Sequence, residues 1–150
     1  MPPVPEGCNT GNAAVPPIES KGEGEVPAGR QHHILVADDE EDMGDTLKRA
    51  LMRAGYQVTL ARDGLEALRV LHNHACDLLI ADIRMPRMGG MELLQETRKV
   101  NPALPVILIT GFGDHASYLE GMRLGAVHFL CKPLRIAELV TAVRHTLRQE

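Results

Sequence analysis

The sequence LLIADIRMP, residues 78–86, contains a short apolar run that ends at Asp82 and is stopped four residues later by Pro86. An apolar run of this length, bounded by Asp77 and a proline, predicts a buried β-strand. An unpaired carboxylate inside such a strand would be costly to bury. We therefore expect Asp82 at the carboxyl end of the strand, where the sheets of α/β proteins open into a crevice.

Strands and helices are predicted to alternate on both sides of this run. Short apolar segments predict the other strands, and apolar residues at helical spacing predict the helices. The other predicted strands are residues 34–37, 57–61, 105–110 and 127–130. The predicted helices are one that ends near Gly55 and four at about 64–73, 91–100, 115–124 and 135–148. Five strands alternating with five helices indicate βαβ crossovers and a parallel sheet covered on both faces.

The first 31 residues differ from the rest of the chain. Prolines and glycines recur there at short intervals, and apolar residues are few and aperiodic. Such a segment buries too little apolar surface to offset the entropy lost on ordering. We predict a disordered N-terminal tail, residues 1–31, followed by a single domain, residues 32–150.

The composition excludes several classes of protein. A net charge of −4 and a total of two tyrosines, two phenylalanines and no tryptophan disfavour direct binding of nucleic acid. Three cysteines without a CxxC spacing indicate free thiols in a reducing compartment. Neither a signal peptide nor an apolar run long enough to span a bilayer is present in the sequence. We therefore expect a cytoplasmic protein that does not enter a membrane.

Polar side chains follow four of the predicted strands. Asp38 and Asp39 come after the first strand, Asp82 ends the third, Thr110 ends the fourth, and Lys132 lies just beyond the fifth. Because the carboxyl ends of parallel strands meet at one edge of the sheet, we expect these side chains to converge.

This set of residues is suited to phosphoryl chemistry. Two carboxylates ~4 Å apart repel each other by about 4 kcal/mol at an effective dielectric constant near 20, so the site must bind protons, a cation or both. Oxygen ligands without clustered cysteine or histidine favour Mg²⁺. A cation, a hydroxyl donor and an ammonium group would neutralise a transferring phosphoryl group, and Asp82 is the best-placed nucleophile.

Four segments in sequence order resemble the receiver domain of two-component response regulators. They are ILVADDEED (34–42), LLIADIRMPRMGG (78–90), VILITGFGD (106–114) and GAVHFLCKP (125–133). Each segment alone is a weak signal, but four in order at predicted strand ends are specific, and the resemblance covers about residues 33–149. It implies a flavodoxin-like fold, in which a five-stranded parallel sheet of order 2-1-3-4-5 is flanked by five helices.

The resemblance also implies roles for individual residues. Asp82 would accept a phosphoryl group from the phosphohistidine of a sensor histidine kinase or a phosphotransfer protein. Asp38, Asp39 and Asp82, with the main-chain carbonyl of Arg84, would hold Mg²⁺. Such a domain catalyses its own phosphorylation and slowly hydrolyses the product, without turning over any other substrate.

Further implied roles concern the response to phosphorylation. Thr110 and Lys132 would bind the phosphoryl oxygens, and Pro133 would follow a cis peptide bond that aims the lysine into the crevice. Thr110 would move toward the phosphate, and Phe129 would rotate inward. The surface formed by helix four, strand five and helix five would then change its affinity for a downstream protein, an output domain or a second copy of the chain.

Two other functions compete most directly with this interpretation, and a third is disfavoured. One is a receiver-shaped interaction module that is never phosphorylated. The other is nucleotide binding, because residues 111–116 fit the pattern G-x-G-x-x-A between a strand and a helix. No acidic residue ends the next strand to hold a ribose hydroxyl, since Cys131 and Lys132 stand there, so we rank nucleotide binding lower. A phosphatase of the haloacid-dehalogenase type is disfavoured, because such enzymes place their nucleophile on the first strand in a DxD pattern. In this sequence Asp38 and Asp39 are adjacent there, and Asp82 stands alone on the third strand.

Overall fold

The computed structural model describes residues 31–111 and 115–148. Within them, five strands alternate with five helices, as predicted from the sequence. The strands are β1 (His33–Ala37), β2 (Gln57–Ala61), β3 (Leu78–Asp82), β4 (Val106–Thr110) and β5 (His128–Cys131). The helices are α1 (Glu41–Arg53), α2 (Gly64–Asn73), α3 (Gly90–Val100), α4 (His115–Arg123) and α5 (Ile136–Arg148). The predicted tail lies outside the described residues, except for Gln31.

The five strands form one parallel sheet in the order β2-β1-β3-β4-β5. This finding confirms the predicted fold class and strand order. The register aligns the carboxyl ends of the strands, because Ala37 pairs with both Ala61 and Ala81, and Thr110 pairs with Cys131. Residues that follow β1, β3, β4 and β5 therefore share one edge of the sheet.

Apolar side chains fill two layers, one on each face of the sheet. Ile34 and Val36 of β1 enter the layer that packs against α1 and α5, whereas Leu35 enters the layer beneath α2, α3 and α4. Every residue of β3 and β4 is buried. These strands are covered on both faces, which explains why they are continuous apolar runs rather than alternating sequences.

The structure differs from the predictions in detail. Several element boundaries shift by one residue, since β5 begins at His128 and α3 begins at Gly90. The helical spacing of Leu65, Leu68 and Leu71 predicts that all three face the sheet, but Leu65 is 39% exposed, and Ala67 is fully buried instead. The reason is the close packing of α2 at its first residue, where a Cβ on Gly64 would lie 2.5 Å from the carbonyl oxygen of Met88. That contact sets the rotation of the helix about its axis.

Left-handed glycines follow two of the helices. Gly55 after α1 has φ of 106°, and Gly125 after α4 has φ of 98°. Glycine adopts such angles without the clash that a Cβ would cause, which ends each helix and turns the chain toward the next strand. Across both described ranges, we find no helix with the length and apolar character needed to cross a membrane.

Candidate functional site

Three carboxylates meet at the carboxyl edge of the sheet. Asp38 directly follows β1, Asp39 is next to it, and Asp82 ends the adjacent strand β3. One oxygen of each carboxylate lies within 4.8 Å of the others. Asp38 and Asp82 are buried, whereas Asp39 is exposed. The site is therefore a small acidic cluster that opens to solvent on the side of Asp39.

Both carboxylate oxygens of Asp82 accept hydrogen bonds. The backbone N–H of Arg84 donates to Oδ1 at 3.0 Å, and the ammonium group of Lys132 donates to Oδ2 at 2.7 Å. Glu40 Oε1 lies 3.8 Å from the same ammonium nitrogen. The Asp82 side chain is 5% exposed and that of Lys132 is 31% exposed. A charge-assisted bond of this kind fixes a cation directly against the proposed nucleophile.

The charge state of Lys132 follows from its neighbours. Partial burial is the largest single influence and lowers the pKa of the ammonium group, but the hydrogen bond and charge of Asp82 and the charges of Asp38 and Glu40 together outweigh it. The net result is a pKa above the ordinary value for lysine. Lys132 therefore stays positively charged at neutral pH.

Asp38 has an unsatisfied oxygen. The backbone N–H of Glu40 donates to Oδ1 at 2.9 Å, but Oδ2 is buried and finds no hydrogen-bond donor among the described residues. Burial raises the pKa of Asp38 to about 6; the Glu40 hydrogen bond opposes the rise, and the negative charge of Asp82 adds to it. Burying an unpaired oxygen of a carboxylate that lies close to two others is favourable only when a proton or a cation neutralises the charge.

The donor set fits a hard divalent cation. Asp38, Asp39 and Asp82 offer oxygen ligands only, and the free Oδ2 of Asp38 is already desolvated. Mg²⁺ prefers such oxygens and binds through one or two carboxylates while retaining water. The backbone N–H of Arg84 contacts Asp82, so the carbonyl predicted as a ligand belongs to a residue at the same edge.

Thr110 and Lys132 reach this edge from the neighbouring strands. Thr110 is the buried last residue of β4, the strand next to β3, and its carbonyl oxygen accepts a hydrogen bond from the backbone N–H of Lys132 at 2.9 Å. The peptide bond between Lys132 and Pro133 is cis. The structure thus brings Asp38, Asp39, Asp82, Thr110 and Lys132 to one edge of the sheet.

Phe129 lies on β5 and packs against the apolar layer beneath α4. Its ring is 5.0 Å from that of Tyr118 on α4. The close approach of α4 depends on Gly121, where a Cβ would lie 2.7 Å from Leu108 Cδ1 and 3.7 Å from the Phe129 ring. Residues 112–114, which contain part of the G-x-G-x-x-A pattern, lie outside the described residues.

Sequence reasoning missed an ion pair beside the site. Arg87, in the loop after β3, donates through Nε to Oδ2 of Asp63 at 2.8 Å, and its Nη2 contacts the same oxygen. Asp63 is the N-cap of α2 and also accepts a hydrogen bond from the backbone N–H of Glu66. The spacing Asp-x-x-Glu before an apolar helix is a recognisable capping signal, but nothing in it indicates the arginine.

A family model described as the response regulator receiver domain matches residues 34–144. The chain belongs to the response regulator receiver family. The resemblance drawn from the four motifs is thereby confirmed.

Curated relatives of this receiver domain include regulators about twice its length. It is 37% identical over 120 residues to a probable transcriptional regulator, ycf27, of Cyanidium caldarium, with 80% of the chain and 48% of the relative covered. It is 35% identical over 116 residues to the response regulator MprA of Mycobacterium sp. (strain KMS), where the shares are 77% and 50%. The chain thus spans about half the length of these relatives.

Solved receiver domains have the same fold. A CheY-like receiver domain protein from Methanospirillum hungatei JF-1 superimposes with a TM-score of 0.76 at 29% identity, and the match covers 79% of this chain and 94% of that one. The receiver domain of NtrX from Brucella abortus gives a TM-score of 0.74 at 33% identity, with coverage of 78% and 99%. These matches support the fold over nearly the whole of each solved domain.

Proposed function

We propose that this receiver domain accepts a phosphoryl group on Asp82 from the phosphohistidine of a sensor histidine kinase or a phosphotransfer protein. The observation that carries the proposal is the 2.7 Å contact between the Lys132 ammonium group and Asp82 Oδ2 beside two further aspartates. A cation fixed against a nucleophile is already placed for the negative charge that arrives with phosphate.

The proposed transfer is a substitution at phosphorus. The P–N bond to the kinase histidine breaks, and its electron pair leaves with the imidazole, while a P–O bond forms to a carboxylate oxygen of Asp82. The ammonium group of Lys132 then exchanges the carboxylate for a phosphoryl oxygen, and the hydroxyl of Thr110 donates to another. Water then slowly hydrolyses the acyl phosphate, which releases inorganic phosphate and regenerates the Asp82 carboxylate.

Asp38, Asp39, Asp82 and the carbonyl of Arg84 are the groups that would hold Mg²⁺. When bound, the ion supplies positive charge that neutralises the carboxylates and the incoming phosphoryl oxygens. The orphaned Oδ2 of Asp38 supports this assignment, because a neutralising partner is what that oxygen lacks. The chain itself positions the nucleophile and keeps Asp38 desolvated.

We propose that phosphorylation changes the conformation of one surface of the domain. Movement of Thr110 toward phosphate and rotation of Phe129 would alter the face formed by α4, β5 and α5, and so its affinity for a downstream protein, an output domain or a second copy of the chain. The net charge of the chain, −4, favours protein partners over nucleic acid. Free thiols at Cys76 and Cys131 support a cytoplasmic location.

Intact-mass measurement after incubation with acetyl phosphate and Mg²⁺ tests the proposal. We expect the addition of one phosphoryl group to the wild-type chain and none to Asp82→Asn, because the amide is a poor nucleophile. Asp42→Asn, an exposed carboxylate on α1, serves as the control and should be modified like the wild type. An adduct that persists in Asp82→Asn would identify another acceptor. Absence of an adduct from the wild type under saturating Mg²⁺ would favour an interaction module that is not phosphorylated.

A further inference from the structure

The loop between β3 and α3, residues 83–89, carries a group on which the proposed metal site depends. The backbone N–H of Arg84 in this loop donates to Asp82 Oδ1 at 3.0 Å, and the carbonyl of Arg84 is the proposed main-chain ligand. The position of that carbonyl is set by the conformation of the β3–α3 loop. Contacts that fix the conformation of this loop therefore also fix the position of the Arg84 carbonyl.

The base of the β3–α3 loop is fixed by backbone contacts. Ile83 donates to the carbonyl of Ile109 at 2.9 Å, and Gly90 donates to the carbonyl of Ile83 at 2.9 Å. A Cβ on Gly89 would lie 2.6 Å from the carbonyl oxygen of Ile83, so the two ends of the loop are in direct contact. These contacts fix the stem and leave the tip to be held by other groups.

The tip of the loop is fastened to α2 at two adjacent points. The guanidinium of Arg87 binds Asp63 Oδ2, with the Nε contact at 2.8 Å. The carbonyl of Met88 accepts a hydrogen bond from the backbone N–H of Gly64 at 3.0 Å. One side-chain contact and one main-chain contact thus join the loop to the first turn of the neighbouring helix.

Asp63 is a rigid anchor for the arginine. Its side chain is 6% exposed, and its Oδ1 accepts the backbone N–H of Glu66 at 2.9 Å. That hydrogen bond first, and Arg87 in addition, hold the pKa of Asp63 below its ordinary value. The carboxylate is therefore charged at neutral pH, and its helix cap prevents it from following the arginine if the loop moves.

Arg87 occupies a backbone conformation that arginine normally avoids. Its φ is 68°, the one left-handed angle outside glycine in residues 31–111 and 115–148. Glycine would adopt this angle without the steric cost that a Cβ imposes. An arginine in this place is useful only through its side chain, and that side chain binds Asp63.

We infer that Arg87 is a positioning residue for the phosphoacceptor site, acting through Asp63 to hold the β3–α3 loop and with it the carbonyl of Arg84. The inference rests on the proposed function. Neither side chain touches the reacting atoms; the pair sets how well the Mg²⁺ ligands are arranged before the ion arrives. Its loss should weaken Mg²⁺ binding while leaving the saturated reaction largely intact.

Three variants test the inference. Arg87→Gly removes the guanidinium and relieves the left-handed strain, Arg87→Lys keeps the charge but not the planar fork, and Asp63→Asn keeps an oxygen for the helix cap without the charge. Lys99→Gln, which breaks an exposed ion pair with Glu96 on α3, is the matched control. The readouts are the Mg²⁺ dissociation constant from backbone NMR titration and the acetyl phosphate reaction rate as a function of Mg²⁺ concentration.

Loss of groups that orient a metal ligand typically weakens binding by about 10- to 100-fold, and we expect about a tenfold rise in the Mg²⁺ dissociation constant for Arg87→Gly. Asp63→Asn should raise the Mg²⁺ dissociation constant by a similar factor, and the double variant should raise it no more than either single substitution. Arg87→Lys should raise it less than Arg87→Gly does. The rate at saturating Mg²⁺ should change less than threefold. Amide exchange at Met88 and Gly64 should accelerate.

Unchanged Mg²⁺ affinity in Arg87→Gly, or an equal loss in Lys99→Gln, would overturn the inference even if the variant were less stable to urea. Failure of the proposed function has a different signature, because the wild type would then gain no phosphoryl group on Asp82. In that case the NMR titration still decides whether the pair controls the ion site. A wild-type domain that binds no Mg²⁺ would contradict both.

Discussion

The side chain of Asp38 is buried, and its Oδ2 has no hydrogen-bond donor among the described residues. Its contribution to the free energy of unfolding therefore depends on pH. Its pKa of about 6 in the folded domain exceeds the ordinary value of 3.8, so between these two values the folded state binds more protons than the unfolded state. Stability contributed by the protonated carboxyl is therefore present at low pH and is lost as the pH rises through about 6. At neutral pH, in the absence of a cation, Asp38 opposes folding.

Asp38→Asn should stabilise the metal-free domain by about 1–3 kcal/mol at pH 8 and by much less at pH 4, because the amide is never charged. Urea denaturation at the two pH values, with a chelator present, measures the difference. Added Mg²⁺ should stabilise the wild type and have little effect on the variant. Asp42→Asn on the exposed face of α1 is the control, and a gain there of equal size would show that general charge reduction is responsible.

At the scale of single elements, two helical glycines have opposite surroundings. A Cβ on Gly64, the first residue of α2, would lie 2.5 Å from a backbone oxygen of the β3–α3 loop. A Cβ on Gly44, inside α1, would meet only the methyl groups of Leu60 at an ordinary 3.7 Å. The same substitution should therefore change stability in opposite directions at the two positions.

We expect Gly44→Ala to stabilise the domain by about 0.5–1 kcal/mol, because alanine loses less backbone entropy in a helix and fits the space available. Gly64→Ala should destabilise it by about 1–3 kcal/mol, because neither the helix start nor the loop can move without losing the hydrogen bond between them. Chemical denaturation of both variants under the same conditions provides the comparison. A stabilised Gly64→Ala would show that the loop yields readily.

At the scale of the whole molecule, Arg98 on α3 connects that helix to the end of α4 and to the segment before β4, without a carboxylate partner among the described residues. Its guanidinium donates to four backbone carbonyls, two at the C-terminal end of α4 and two in the segment that leads into β4. The four carbonyls are those of Leu124, Gly125, Pro102 and Leu104. Burial lowers its pKa, but arginine remains charged.

Arg98→Gln should destabilise the domain by about 1–3 kcal/mol, because it leaves carbonyl groups without donors and removes the positive charge at the end of α4. Lys99→Gln, at the neighbouring exposed position, should change stability by less than about 0.5 kcal/mol. Urea denaturation of the two variants gives the comparison. Equal effects would mean that water satisfies the carbonyls once the guanidinium is gone.

Most of this architecture could be predicted from the sequence, because apolar runs and the polar residues at their ends are visible in the local sequence pattern. The position of Asp82 at the end of a buried strand, and the order of the motifs, were enough to predict that the carboxylates lie on one edge. Leu65 was assigned to the wrong face because the rotation of α2 is set by Met88, a residue distant in sequence. The pairing of Arg87 with Asp63 was missed for a similar reason: it depends on a loop conformation that arginine rarely adopts.

The central neighbours in the sheet, β1 and β3, each deliver part of the acidic cluster from distant parts of the polypeptide. An unfolded chain therefore has no preformed ion site, and occupancy by Mg²⁺ reports that these two strands are paired. Damage that separates β1 from β3 would therefore remove the proposed acceptor site and expose the apolar core at the same time.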